Sequence, residues 1–266
     1  MAKSTAEASQ DQPVNDSYWQ RSQLPLQALV FLLPLIVFYE ISLFLLGTDE
    51  FRRIIQLDRP PGDIKAHRLL FDFFEWMGVS GYYLPGLLLV AVLLSWHVLR
   101  RDAWQFDPQL YLFMWIESLV LALPLFVFGW VLSRQMQMMD PALTDGLAAI
   151  VMSVGAGVYE ELLFRLIGLA LLHMILTDWM RMPSQWGAVC AIGTTAVAFA
   201  FYHFSHSRPF QWGLFIFYSC AGIYFAGIYL ARGFGIVAWT HALYDLLVTL
   251  LKMQQHFDDR VSSSIN

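Results

Sequence analysis

Seven long apolar runs separated by short polar connections organise this chain: Leu24–Leu46, Tyr82–Leu99, Leu110–Leu132, Leu147–Leu176, Trp186–Phe204, Trp212–Leu230 and Ile236–Leu251. A helix needs about 20 mostly apolar residues to cross the hydrocarbon of a bilayer, so each run predicts a transmembrane helix. The amphipathic stretch Leu69–Met77 would add an eighth if it inserts partway. Pro25, Pro34, Pro85 and Pro124 lie within these runs and predict kinks. Trp130, Trp179, Trp186 and Trp212 stand at run ends, where indole rings favour the headgroup level. The expected fold is therefore all-α: a polytopic bundle of seven to eight transmembrane helices without a soluble domain.

Composition agrees with the pattern. Hydrophobic residues make up 58% of the 266 and charged residues 14%, against roughly 25% charged in soluble domains. No basic stripe points to nucleic acid, and the net charge of −5 resides mostly in short loops. Lys and Arg do not segregate clearly enough for the positive-inside rule to orient the chain. Residues 1–23 are polar and lack an apolar h-region, which excludes a cleavable signal peptide. They read as a disordered tail, with Leu24 onward as an uncleaved signal anchor. Residues 24–252 form the membrane domain, and 253–266 a polar C-terminal tail. The longest polar connection is Gly47–Arg68, in which Arg59-Pro60-Pro61-Gly62 predicts a turn. Cys190 and Cys220 fall inside apolar runs and read as small hydrophobes, with no disulfide or thiolate metal site expected.

Ionisable residues divide the chain. The runs before Arg134 contain Glu40 and Glu117, which read as inter-helix hydrogen-bond partners, and His97 at a run end reads as a headgroup contact. The later runs carry Glu160, Glu161, Arg165, His173, His203, His241 and Asp245. Of these, His173 reads as an interfacial or packing residue. Charged groups inside a membrane are costly and usually face the bundle interior or a wet cavity, so any chemistry is expected in the C-terminal half. On a helix Glu161 and Arg165 are i, i+4 neighbours and predict a structural ion pair. Glu160 points about 100° away from Glu161. It shares a face with Ser153, Ala156, Gly157, Phe164, Ile167 and Gly168, small enough in places for another backbone to approach. His203 ends an apolar run with Phe199 one turn before it, as a candidate pocket wall. His241 and Asp245 are again i, i+4, so the aspartate is placed to orient the imidazole or hold it protonated.

Three motifs in order, Glu-Glu-x-x-x-Arg, Phe-x-x-x-His and His-x-x-x-Asn or a variant, make the stretch from Leu147 to Lys252 resemble the CPBP family. These are the intramembrane CAAX proteases and bacteriocin-processing enzymes, also called Abi. The resemblance implies a glutamate-dependent endopeptidase acting on a membrane-associated or membrane-inserted protein. Glu160 would activate the attacking water, His203 would assist, and His241 with the residue four later would stabilise the oxyanion. That residue here is Asp245 rather than Asn. An ionised aspartate repels an oxyanion, so Asp245 is either protonated or polarises His241. Phe164 and Phe199 would wall the pocket. No cofactor is expected, and the alternative is a zinc-dependent variant on Glu160, His203, His206 and His241.

Two other readings compete with this one. A non-catalytic immunity or scaffold protein would keep the fold, and a transporter would use Glu160 and the histidines as a proton relay. The charge asymmetry between the two halves disfavours the transporter, since transporters carry pseudo-repeats. Size and style suggest a bacterial inner membrane. A serpentine drawing leaves His203 at the exit of its span and His241 at the far side of another. Tilted helices, a longer fifth helix or an incomplete sixth span would be needed to join them.

Overall fold

The structure is a computed structural model describing residues 17–54, 64–136, 146–205 and 209–265. The regular elements among them are all helices. In chain order these are α1 (Tyr18–Arg21), α2 (Pro25–Gly47), α3 (Asp49–Ile54), α4 (Lys65–Trp76), α5 (Leu84–Arg100), α6 (Pro108–Met136) and α7 (Gly146–Glu161). The rod begun by α7 continues through a π-helical stretch, Leu162–Leu169, then α8 (Ala170–Met174) and a second π-helical stretch, Ile175–Trp179. Helices α9 (Ser184–Tyr202), α10 (Trp212–Arg232) and α11 (Phe234–Ile265) complete the chain. The turn expected at Arg59–Gly62 lies outside the described residues.

Among the described residues, six segments are long and apolar enough to cross a membrane: Pro25–Gly47, Pro108–Leu132, Gly146–Trp179, Ser184–Tyr202, Trp212–Arg232 and Phe234–Gln255. The chain is thus an integral, multi-pass membrane protein. The run at Tyr82–Leu99 gives the shorter apolar helix α5, of 17 residues. At about 1.5 Å per residue it reaches roughly 25 Å, short of the ~30 Å hydrocarbon core. It starts late because Tyr82 and Tyr83 lie in a turn, and it stops where Arg101 takes a left-handed conformation at φ 57°. The amphipathic stretch forms α4 as a separate 12-residue helix. Ala66, His67 and Leu70 face the bundle, whereas Leu69, Phe73 and Trp76 are exposed.

Small residues set the close approaches. A Cβ on Gly157 would meet the Ala242 backbone nitrogen at 2.5 Å, and one on Gly222 would meet the Ala196 Cα at 2.8 Å. These glycines bring α7 against α11, and α10 against α9, as small residues do between membrane helices. The Ser153 and Thr249 hydroxyls bond across the first of these seams at 3.0 Å. Along α7 another glycine, Gly155, lies against the ring of Tyr39 from α2.

Residues 17–23 are not a loose tail. Here α1 is pinned by a polar cluster in which Arg232 bonds both oxygens of Glu117 at 2.5 and 2.8 Å. The Tyr18 hydroxyl donates to Glu117, and the Arg232 guanidinium sits 4.0 Å from the Trp19 ring centroid. Arg21 donates to Asp107 at 2.6 Å. Asp107 also accepts from the peptide nitrogens of Gln109 and Leu110, which caps α6 beside Pro108. The Arg21 guanidinium, foremost, and these amides hold the Asp107 carboxyl below the usual carboxylate range. The polar residues after 252 extend α11 as helix to Ile265.

Glu40 behaves as expected, accepting from the Tyr159 hydroxyl across α2 and α7. His97 does not reach headgroups. It is buried, with its ring edge-on to Trp104 at 4.4 Å, because the chain after Arg101 folds back over it. The His173 ring nitrogen lies 3.5 Å from the Ser184 hydroxyl, at the turn between the rod and α9.

Candidate active site

Glu160 and Glu161 close α7 at mid-rod, immediately before the π-helical stretch. Such stretches are rare and frequent at functional sites. Gly168 helps this one form, since a Cβ there would meet the Leu163 carbonyl oxygen at 2.9 Å. The predicted ion pair is present, with Arg165 Nη1 donating to Glu161 Oε1 at 2.9 Å and both side chains buried. Arg165 also donates to the Gly222 carbonyl at 3.3 Å and lies 4.4 Å from the Phe199 ring centroid and 5.3 Å from that of Phe225. The guanidinium is therefore enclosed by side chains and backbone from α7, α9 and α10, which is how a buried cation is tolerated in lipid.

Glu161 has a second role that spacing alone does not reveal. Its Oε1 lies 2.7 Å from His241 Nδ1, eighty positions along the chain. A carboxylate on Nδ1 orients the ring and leaves Nε2 facing the other way. That nitrogen is 4.0 Å from Glu160 Oε2 and 3.6 Å from Asp245 Oδ2. The i, i+4 expectation put Asp245 as the orienting group. Glu161 takes that place because it is buried and closer, while Asp245 stands at the rim with 29% of its side chain exposed.

His203 is the C-cap residue of α9, and its Nδ1 lies 2.8 Å from the Phe199 carbonyl oxygen. A carbonyl only accepts, so in the neutral ring the proton sits on Nδ1 and the lone pair on Nε2. Nε2 lies 3.7 Å from Glu160 Oε2. The ring is stacked on Tyr218 at 4.0 Å between centroids, and His241 is stacked on Phe225 at 4.5 Å. Tyr218 and Phe225 are seven residues apart on α10, about 10 Å along a helix. The two histidines stack on residues two turns apart on α10, yet both reach the same carboxyl oxygen of Glu160. What joins them is side-chain reach: His203 folds back along its own helix, and the Glu160 carboxyl spans the gap.

Phe199 and Phe164, expected as pocket walls, pack against each other beside the His203 ring. Their rings meet edge-on at 5.3 Å, and Phe199 lies 4.6 Å from the His203 ring and 6.0 Å from that of His241. Within this wall Glu160 is buried, and its Oε2 accepts no hydrogen bond among the described residues. Tyr202, which the sequence did not single out, directs its hydroxyl at the Glu160 carboxyl. Its ring edge also meets Phe164 at 5.2 Å. For the zinc alternative, no group of three or more His, Cys, Asp or Glu is spaced to hold a metal among the described residues. His206, the remaining member of that set, lies outside them.

The site thus comprises a buried carboxyl between two imidazoles, one presenting a lone pair and one backed by a carboxylate. Residues 142–247, which hold all of it, match the family model for type II CAAX prenyl endopeptidase Rce1-like proteins. The match agrees with the CAAX-protease (CPBP) resemblance carried by the three motifs. No curated protein and no solved structure matches the chain. The Rce1-like match points to an intramembrane protease and leaves α1 to α6 outside its bounds.

Proposed function

We infer that the protein is an intramembrane endopeptidase that hydrolyses a peptide bond in a membrane-associated protein with a water activated by Glu160. One observation carries this reading: Glu160 Oε2 sits 3.7 Å and 4.0 Å from Nε2 of His203 and His241, which come from separate helices. Those separations exceed direct hydrogen-bond range and suit groups that share a small reactant between them. Glu160 takes a proton from water as the oxygen attacks the scissile carbonyl. His203 accepts a hydrogen bond from the same water through Nε2 and keeps it aligned. His241, as an imidazolium held through Nδ1 by Glu161, donates from Nε2 to the oxyanion of the tetrahedral intermediate. Glu160 then passes its proton to the leaving amine as the C–N bond breaks. Arg165 fixes Glu161 and so fixes His241 at one remove.

A prenylated C-terminal peptide, the class in the matched family's description, is the substrate to try first. The full chain in liposomes should cleave it, and Glu160→Ala and His203→Ala should each abolish cleavage while remaining folded. Full cleavage by both variants would remove the proposal. Binding without cleavage by the unaltered chain would favour a non-catalytic scaffold of the same fold.

A further inference from the structure

We propose that Tyr202 is a positioning residue for Glu160, held in place by the N-terminus of α4, an element outside the family match. The inference rests on the hydrolytic reading for its consequence, and on hydrogen-bond geometry for its content. The Ala66 peptide nitrogen, in the first turn of α4, donates to the Tyr202 hydroxyl oxygen at 2.7 Å. A helix leaves its first four N–H groups without intrahelical acceptors, so this bond satisfies one of them with a side chain from α9. A phenol has one proton to give. With its oxygen accepting from Ala66, that proton is free to turn to the carboxyl of Glu160. A hydroxyl that accepts a hydrogen bond donates a stronger one. The relay runs from α4 through α9 to α7.

Lys65 completes the latch. Its ammonium donates to the Tyr202 carbonyl at 2.9 Å and to the Phe204 carbonyl at 3.3 Å, and lies 5.4 Å from the Tyr202 ring centroid. The last carbonyls of a helix lack intrahelical donors and carry the negative end of its dipole, so a cation is well placed there. The N-terminus of α4 and the C-terminus of α9 therefore cap one another, on either side of His203. Both groups that would handle the attacking water, Glu160 and His203, are braced by residues 65 and 66. The same helix leaves Leu69, Phe73 and Trp76 exposed on its outer side.

Infrared spectroscopy of the full chain in detergent decides the matter without any assay. The carboxyl band that disappears in Glu160→Gln belongs to Glu160. In Tyr202→Phe that band should shift, because the carboxyl has lost a donor; a band at its original position overturns the proposal. If Tyr202→Phe does not fold, Lys65→Met takes its place, since Lys65 is exposed and the change does not enter the core. The same band should then shift by less, and an unmoved band again overturns the proposal. In cleavage of the prenylated peptide, Tyr202→Phe should lower kcat roughly tenfold, the scale of one hydrogen bond to a charged group, with KM unchanged. A wild type that cleaves nothing would end the protease reading, while the infrared shift would still decide whether Tyr202 positions Glu160.

Discussion

Two carboxylates in this bundle meet similar neighbours and end in opposite states. Glu117 is saturated, with two donors from Arg232 at 2.5 and 2.8 Å and a third from the Tyr18 hydroxyl. Arg232 directs its remaining donors to Ser22 and the Trp19 carbonyl, at 3.0 and 3.3 Å. Glu160 has imidazoles on two sides, yet neither comes within 3.7 Å, and its Oε2 accepts nothing among the described residues. A buried polar group left under-coordinated is costly. The first carboxylate holds α1, α6 and α10 together. The second holds little together and is poised to accept. The contrast separates a joint from the proposed reactive centre by coordination, where residue type alone would not.

Breaking the contrast at its reactive end should have the largest effect. Glu160→Gln preserves shape and removes the proposed base, and cleavage of the prenylated peptide should fall by about 10²- to 10⁴-fold, the usual contribution of a general base. Its thermal midpoint should hardly move, because the amide oxygen can keep the hydrogen bond from Tyr202 and Oε2 accepts none among the described residues. A large drop in midpoint would make Glu160 a joint like Glu117. Arg165→Ala should come next. It leaves Glu161 buried without its guanidinium partner, held by His241 alone, and breaking a buried pair costs about 3–5 kcal/mol. Chemical denaturation of the detergent-solubilised chain measures that loss. Activity per folded molecule should fall as well, since Glu161 would no longer hold His241 in one pose.

Arg232→Met sharpens the other end. It should lower stability by about 2 kcal/mol, the scale of hydrogen bonds to a charged group, and leave kcat of the folded fraction unchanged. An altered kcat would show that the two clusters communicate.

The parts of this molecule that were legible in the sequence are those encoded locally. Run length identified the membrane helices, and i, i+4 spacing identified Glu161 with Arg165. The ionisable side chains stood out in apolar runs because few purely structural helices carry them. The partners that complete the site come from elsewhere in the chain. Nothing near Glu161 announces His241, and spacing favoured Asp245 for its place. Tyr202 looks like any aromatic at a span end, and Lys65 sits in the half that seemed chemically silent. The π-helical stretch after Glu161 has no compositional signature either; Gly168 could have marked it only to a reader already expecting a tight approach. Depth misled for a related reason. A drawing of spans places Cα atoms, whereas the site is closed by side chains: His203 turns back along its own helix and the Glu160 carboxyl lies between the two imidazoles.

Asp245 should respond least, and its sign is the informative part. It stands at the rim, 3.6 Å from His241 Nε2, while the opposite nitrogen of that ring is fixed by Glu161 at 2.7 Å. Removing its charge therefore leaves the imidazole where it is. An ionised carboxylate beside a developing oxyanion opposes it, and an amide of the same shape can donate to it. Asp245→Asn should accordingly cleave at the wild-type rate or up to about threefold faster, within the worth of one partly exposed charge. A tenfold loss in the same assay would assign Asp245 to keeping the proton on His241 and would demote Glu161 to packing. The outcome thus says which of two carboxylates on one imidazole governs its proton, a question that the distances favour in one direction and kinetics can reverse.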